Sequence, residues 1–271
     1  NALEARIALT KGDSATAASL ASALVDGGKY PLINDADDFA SLWTDDSGDE
    51  CLVQFWSDFQ STPPSNCYDY VGLQSNGTYS PNYIPEKWII DAFDAKDIRF
   101  QTWFRKTDVV FGSISGNLYI CTKYPGNPEL MPGVAISTYV NKIKPFRIAE
   151  QYLIAAEAYA AQDKDELALK YLNALRKSRI DGYVNRTYSG AELMAQIKLE
   201  RGKELYAEGF RYKDLKRWNE GMQRSEAQDK NVISNAGSQE TELMVRQASD
   251  PFFLWPIPQA EIDSNPQIRS Q

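Results

Sequence analysis

Two stretches of this chain carry one pattern. In ALEARIALTKGDSATAASLASALVDGGKYPL, Leu3, Ile7 and Ala8 mark one apolar helical face, and Ala17, Leu20, Ala21 and Leu24 mark a second. KGDS lies between them as a turn with Asp13 or Ser14 as N-cap, and Gly27 and Gly28 end the second helix. The pattern returns in IAAEAYAAQDKDELALKYLNALRKSR, where Ala156, Ala168, Ala174 and Leu175 match Ala5, Ala17, Ala23 and Leu24 at a constant offset of 151 residues. Small residues at fixed places let paired helices approach closely, as in tetratricopeptide hairpins. The separation argues against a continuous solenoid, because solenoid repeats stack on near neighbours. The expected fold class is mainly α, with tetratricopeptide-like helical pairs and a loop-rich, partly β insertion.

That insertion occupies residues 30–146. ECLVQFW and NLYICTKY read as strands and EKWIIDAFD as a short helix. STPPSNCYDYVGLQSNGTYSPNYIP reads as a loop; one so long in a compact domain is either functional or disordered, and its aromatic content argues against disorder. After the second hairpin come a turn, IDGYVNRTYSG, and a long helix from Ser189 to Ala207 with Leu193, Ile197, Leu199 and Leu205 apolar. Gly209 closes it, and a shorter helix carries Asp214, Leu215 and Trp218. The proline-rich tail, 250–271, is expected to lie extended against the body.

The inventory of side chains excludes much chemistry. The chain has no histidine, so a Ser-His-Asp triad, a Cys-His pair, an HExxH zinc helix and a Glu-x-x-His di-iron pair are all ruled out. A net charge of -8 is the wrong sign for a nucleic-acid partner. Cys51, Cys67 and Cys121 form no CxxC pair and are expected as buried thiols; an exported protein could bridge Cys51 to Cys67. NDADD, from Asn34 to Asp38, lacks the glycine and terminal glutamate of an EF-hand calcium loop, so no metal or cofactor is expected. No stretch approaches the roughly 20 apolar residues of a membrane span. NALEARIALT reads as the middle of an amphipathic helix and not as a signal peptide, so residue 1 is not expected to be the natural start of the gene product.

The densest charge lies in ERGKELYAEGFRYKDLKRWNEG, Glu200 to Gly221. On a helix Glu200, Glu204 and Glu208 stack on one side, with Arg201, Lys203 and Arg211 available to interleave them. A salt-bridged face that locks helices together explains this better than a catalytic carboxylate pair or a metal site, since hard cations avoid carboxylates already held by guanidinium groups.

The same segment resembles the E-R-x-x-E-L-x-x-E-G-x-R-x-x-D-L-x-R-W signature of the SusD/RagB family, surface nutrient-binding lipoproteins of Bacteroidota. The match runs through Glu200, Arg201, Glu204, Leu205, Glu208, Gly209, Arg211, Asp214, Leu215, Arg217 and Trp218. RIAEQYLIAAEAYA is similar to the family's R-x-A-E-x-Y-L-x-x-A-E-A helix, and ALKYLNALRKSR and PIPQAEIDSNPQI resemble two further family segments in the family's order. The resemblance covers essentially the whole chain as one domain, the C-terminal part of the family. It implies a helical scaffold at 1–28 and 147–221, a ligand-binding region at 30–146 and an extended tail at 250–271.

The resemblance further implies binding without catalysis: an aromatic platform that stacks oligosaccharide or polysaccharide, a SusC-like TonB-dependent outer-membrane transporter as partner, and a cell-surface location. Membrane attachment would run only through an N-terminal lipid anchor outside this sequence. The candidate ligand residues are Trp56, Tyr68, Tyr70, Tyr79, Tyr83 and Trp103, with Asn66, Asn76 and Asn82 as polar partners; Trp88 has a helical period and is assigned to the core. Alternatives are a peptide-capturing family member, a helical-repeat adaptor, and a glycoside hydrolase using Asp69 and Glu86.

Overall fold

The computed structural model describes residues 1–57, 66–130, 140–233, 245–253, 256–265 and 267, without the side chains of 66–68 and 252. In chain order the elements are α1 (Ala2–Thr10), α2 (Ser14–Asp26), α3 (Ala36–Thr44), β1 (Cys51–Phe55), α4 (Asn66–Val71), α5 (Lys87–Asp91), α6 (Ile98–Trp103), β2 (Phe104–Phe111) and β3 (Ile114–Cys121). They continue as β4 (Ile143–Arg147), α7 (Ile148–Ala160), α8 (Asp165–Arg179), α9 (Gly190–Glu204), α10 (Arg211–Arg217), β5 (Met222–Gln223), α11 (Lys230–Ile233), β6 (Val245–Arg246) and α12 (Gln259–Ser264).

The two hairpins, α1/α2 and α7/α8, stack directly on each other, with α2 lying along α7. Four of the matched alanines are why they can: Ala5, Ala17, Ala156 and Ala168 are all fully buried in one core with Tyr171, Leu172, Leu193 and Ile197. Sequence separation therefore does not prevent stacking, because the insertion leaves the scaffold after α2 and returns to it at α7. Of the two N-cap candidates, Asp13 is the cap, accepting from the Thr16 N–H at 3.1 Å. The buried stripe of α1 runs through Ala5, Ala8 and Leu9, while Leu3 and Ile7, expected inside, face outward. Small residues set that stripe because they allow the closest approach to α2 and α7.

The insertion carries its own core, in which Phe39, Leu42, Trp43, Ile89, Trp103 and Phe104 are buried together. Trp43 and Trp103 meet edge to face at 5.5 Å and 89°. β2 and β3 pair antiparallel from Phe104 opposite Cys121 to Phe111 opposite Ile114, closed by the two-residue turn Gly112-Ser113 with Gly112 at φ +63°. β2 and α6 are not anticipated by the sequence reading: the polar run RKTD interrupts any apolar alternation in FRKTDVVF, and IRFQTW is too short to show a period. β1 pairs antiparallel with β4, Cys51 opposite Arg147, which fastens the insertion to the start of α7.

Two further expectations are corrected. The aromatic-rich loop contains a helix, α4. The tail is not simply extended: Pro251–Phe253 forms a 3-10 turn and α12 follows, with no buried residue. Proline at the N-cap position, Pro258, favours a helix start as readily as an extended chain. The thiols follow the sequence reading in part. Cys51 and Cys121 are buried and free, each pushed up to about 11 by burial; Cys67 and the bridge proposed for it fall on a side chain outside the described residues.

Candidate functional site

The charged segment is the inner lock of the scaffold. The Glu204 carboxylate receives Nη1 of Arg99 at 2.9 Å, Nη1 of Arg147 at 2.9 Å and Nη2 of Arg179 at 3.1 Å, and all four side chains are buried. Glu200 is paired with Arg176 at 2.7 Å and Arg99 at 2.6 Å, and Glu208 with Arg147 at 2.6 Å and Lys123 at 2.7 Å. Most of these cations come from α6, β4 and α8. Of the partners expected within the segment only Lys203 joins, 3.7 Å from Glu200. Arg201 pairs with Asp214 at 2.8 Å, and the Arg211 guanidinium lies 5.4 Å from the Trp88 ring centroid.

Burial opposes the ionisation of these acids, but the surrounding cations outweigh it and hold Glu200, Glu204 and Glu208 below the usual carboxylate range. Burial pushes Lys123 down to about 8, against the pull of Glu208. Elsewhere in the lock Arg217 donates to Glu157 at 2.7 Å and Trp218 Nε1 donates to Glu157 at 2.7 Å, joining two signature segments. These carboxylates are all held in ion pairs, so they serve the scaffold and not open chemistry.

The open chemistry lies beside it, where residues 69–86 fold back on themselves. Gly72 sits at φ +62°, and a Cβ there would collide with the Pro81 nitrogen, so only glycine permits this crossing. The Ser80 N–H donates to the Gly72 carbonyl at 2.8 Å, and the N–H groups of Asn82 and Tyr83 both donate to the Asp69 carbonyl, at 2.8 and 3.0 Å. The crossing brings Tyr70 beside Tyr83, ring centroids 5.5 Å apart and tilted by 43°. Tyr83 is 59% exposed.

Both rings line a cavity of about 750 Å³ whose other walls include Tyr124, Ile143, Phe210, Arg6, Lys142 and Lys213. Tyr83 also lines a second cavity, of about 900 Å³, with Ile84, Phe111 and Val232. Size and lining suit a small ligand held by apolar faces and a few polar groups.

The remaining expected residues separate. Trp56 is 69% exposed at the end of β1, with Lys142 Nζ 5.4 Å from its ring centroid. Trp103 is fully buried in the insertion core, which removes it from any ligand platform; its apolar neighbours Phe39 and Trp43 converge from α3, a contact invisible in local sequence. Tyr79 is half-buried and structural: its carbonyl accepts from Val110 N–H at 2.8 Å, its hydroxyl accepts from Arg105 at 3.0 Å, and its ring packs with Val109 and Leu118.

Asn76 faces solvent and makes an Asx turn to Thr78, away from both cavities. Asn82 donates to Asp69 at 2.6 Å. Tyr68 and Asn66 lie on α4 with side chains outside the described residues. Asp69 lines the first cavity, whereas Glu86 lines the second and accepts from Ser225 N–H at 3.1 Å, so the two acids do not share a wall. Asp35, in the calcium candidate, caps α3 by accepting from Asp37 and Asp38 N–H.

The sequence reading missed Tyr124, Phe210, Lys142 and Lys213 as lining residues. Phe210 and Lys213 lie within the charged signature, and the other two carry no local signal.

The sequence model of the SusD family matches residues 119–271. No curated protein matches the chain. Among similar solved structures is a SusD superfamily protein from Bacteroides thetaiotaomicron, with TM-score 0.76 and 23% identity over 99% of this chain and 59% of that one. A SusD-like carbohydrate binding protein from Bacteroides vulgatus has TM-score 0.71 and 17% identity over 98% and 58%. Surface glycan-binding protein A from Bacteroides uniformis has TM-score 0.64 and 19% identity over 98% and 58%. The chain thus spans about three-fifths of the length of these structures. At such identities they show the fold.

Proposed function

The chain belongs to the SusD family, and on that premise we propose that it is a non-catalytic nutrient-binding protein that captures oligosaccharide on the Tyr70/Tyr83 face of the first cavity. The observation that carries this reading is the tilted ring pair at a cavity mouth, one ring mostly exposed and both positioned by the Gly72 crossing. A pyranose has an apolar C–H face that stacks on such rings, while flanking amide and carboxylate groups take its hydroxyls. Two similar structures are a carbohydrate binding protein and a surface glycan-binding protein, which supports sugar as the ligand class.

In this reading residues 30–146 carry the stacking rings, and residues 1–28 and 147–221 form the scaffold, which contributes Arg6, Arg201, Phe210 and Lys213 to the cavity wall. The protein acts at the outer-membrane surface and delivers its ligand to a SusC-like TonB-dependent transporter. Isothermal titration against α-glucans, β-glucans, xylans, mannans and mixed peptides tests it. Binding to a glycan that is lost in Tyr70→Ala and Tyr83→Ala supports it; peptide-only binding, or hydrolysis of the bound sugar, overturns it.

A further inference from the structure

The first cavity has a charge character that aromatic stacking does not require. Lys142 and Lys213 both line it, and neither has a carboxylate partner among the described residues. Arg201, also in its wall, is 2% exposed and gives its Nε–H to Asp214, but its Nη1 is buried with no hydrogen-bond acceptor. A buried guanidinium N–H left without an acceptor is costly, and Arg201 borders the cavity, from which a ligand can supply one. Of the acids in the wall, Glu208 and Asp214 are held in ion pairs, while Asp69, which accepts from the neutral Asn82 amide, is one carboxylate against the two lysines. An unpaired excess of cations in a chain of net charge -8 is a local arrangement and not a reflection of the overall charge.

We infer that the first cavity is selective for an anionic sugar, one bearing a carboxylate or a sulfate on its ring. This rests on the oligosaccharide reading above. The sugar's C–H face stacks on Tyr70 and Tyr83, and its anionic group meets Lys142 and Lys213 and offers an acceptor to the unpaired Nη1 of Arg201. Guanidinium groups suit planar carboxylate and sulfate oxygens through directed N–H bonds, and lysines add point charge. An uncharged sugar leaves the two lysines to water and the Arg201 Nη1 without an acceptor, and gains only the stacking and the contacts to its hydroxyls.

The test titrates the protein with oligosaccharides of equal length, malto- and cello-oligosaccharides as neutral probes, oligogalacturonate and a chondroitin sulfate fragment as acidic ones. An acidic probe binds roughly tenfold more tightly than the neutral ones at low salt, and the advantage shrinks as salt rises. In a Lys142→Ala/Lys213→Ala variant the advantage disappears while neutral binding and the melting temperature stay unchanged. Equal affinity for neutral and acidic probes, or an acidic preference that survives the double substitution, overturns the inference and leaves the binding function standing. Failure to bind any sugar, including when acidic peptides bind, overturns both.

Discussion

Arg147 holds both the side chain and the main chain of Glu204: its Nη1 donates to the Glu204 carboxylate at 2.9 Å and its Nη2 to the Glu204 carbonyl at 3.1 Å. One side chain from the junction of β4 and α7 thereby completes the C-terminal end of α9, where a helix leaves carbonyls without partners. The insertion and the scaffold meet at this point.

Replacing Glu204 with Gln removes the only carboxylate, among the described residues, shared by Arg99, Arg147 and Arg179, leaving buried guanidinium charge uncompensated. Loss of one partner in a buried ion network costs about 3 to 5 kcal/mol. Urea denaturation of Glu204→Gln should show that loss; a cost below about 1 kcal/mol, the range of a solvent-exposed pair, would contradict the burial argument.

The same network sets the acid response. Glu200, Glu204 and Glu208 titrate lower in the folded protein than in the unfolded chain, so their contribution is complete above the unfolded value of about 4.3. As pH falls below that value the unfolded chain binds protons first, and stability declines towards the folded values. Urea midpoints should hold from pH 7 to about 5 and then drop steeply, with a smaller drop in Glu204→Gln.

Lys123 gives the opposite signature at alkaline pH. Its folded value, about 8, lies below the unfolded value of about 10.4. Between these the unfolded chain holds the extra proton, so this lysine makes stability rise with pH and its effect levels off beyond the unfolded value. Comparing urea midpoints of the wild type and Lys123→Met across this window isolates the effect; parallel curves would show that Lys123 stays charged throughout.

Ala156 is fully buried where the hairpins stack, so Ala156→Leu overfills the contact. The expected destabilisation is about 1 to 3 kcal/mol. A neutral result by thermal unfolding would mean that the hairpins do not pack closely at this position.

Tyr79 and Tyr83 should divide cleanly. Tyr83→Ala is expected to weaken ligand binding by more than about 1 kcal/mol with little change in melting temperature, the pattern of an exposed contact residue. Tyr79→Ala removes a packed ring and an Arg105 partner, so it should lower the melting temperature more than the affinity. The reverse outcome would move the site to the Tyr79 side.

The hairpins and the long α9 are legible in the alanine spacing and the charged signature, because helix periodicity and capping are local. Tyr70 and Tyr83 are also legible as aromatic residues among turn formers. Their pairing is not, because it depends on the crossing at Gly72 and Pro81, where backbone bonds span the loop. Trp103 reads as a candidate because nothing within IRFQTW shows that α3 will cover it.

Sequence alone determined the helical repeat, the family signature and the exclusion of histidine chemistry, since each follows from residue identity and short-range spacing. Tertiary structure alone decided which cations neutralise Glu200, Glu204 and Glu208, which tyrosines face a cavity, and that the hairpins touch. Arg147 reaches Glu204 across 57 positions and Arg99 reaches it across 105. A contact at such a separation depends on how the intervening chain packs, not on any local pattern.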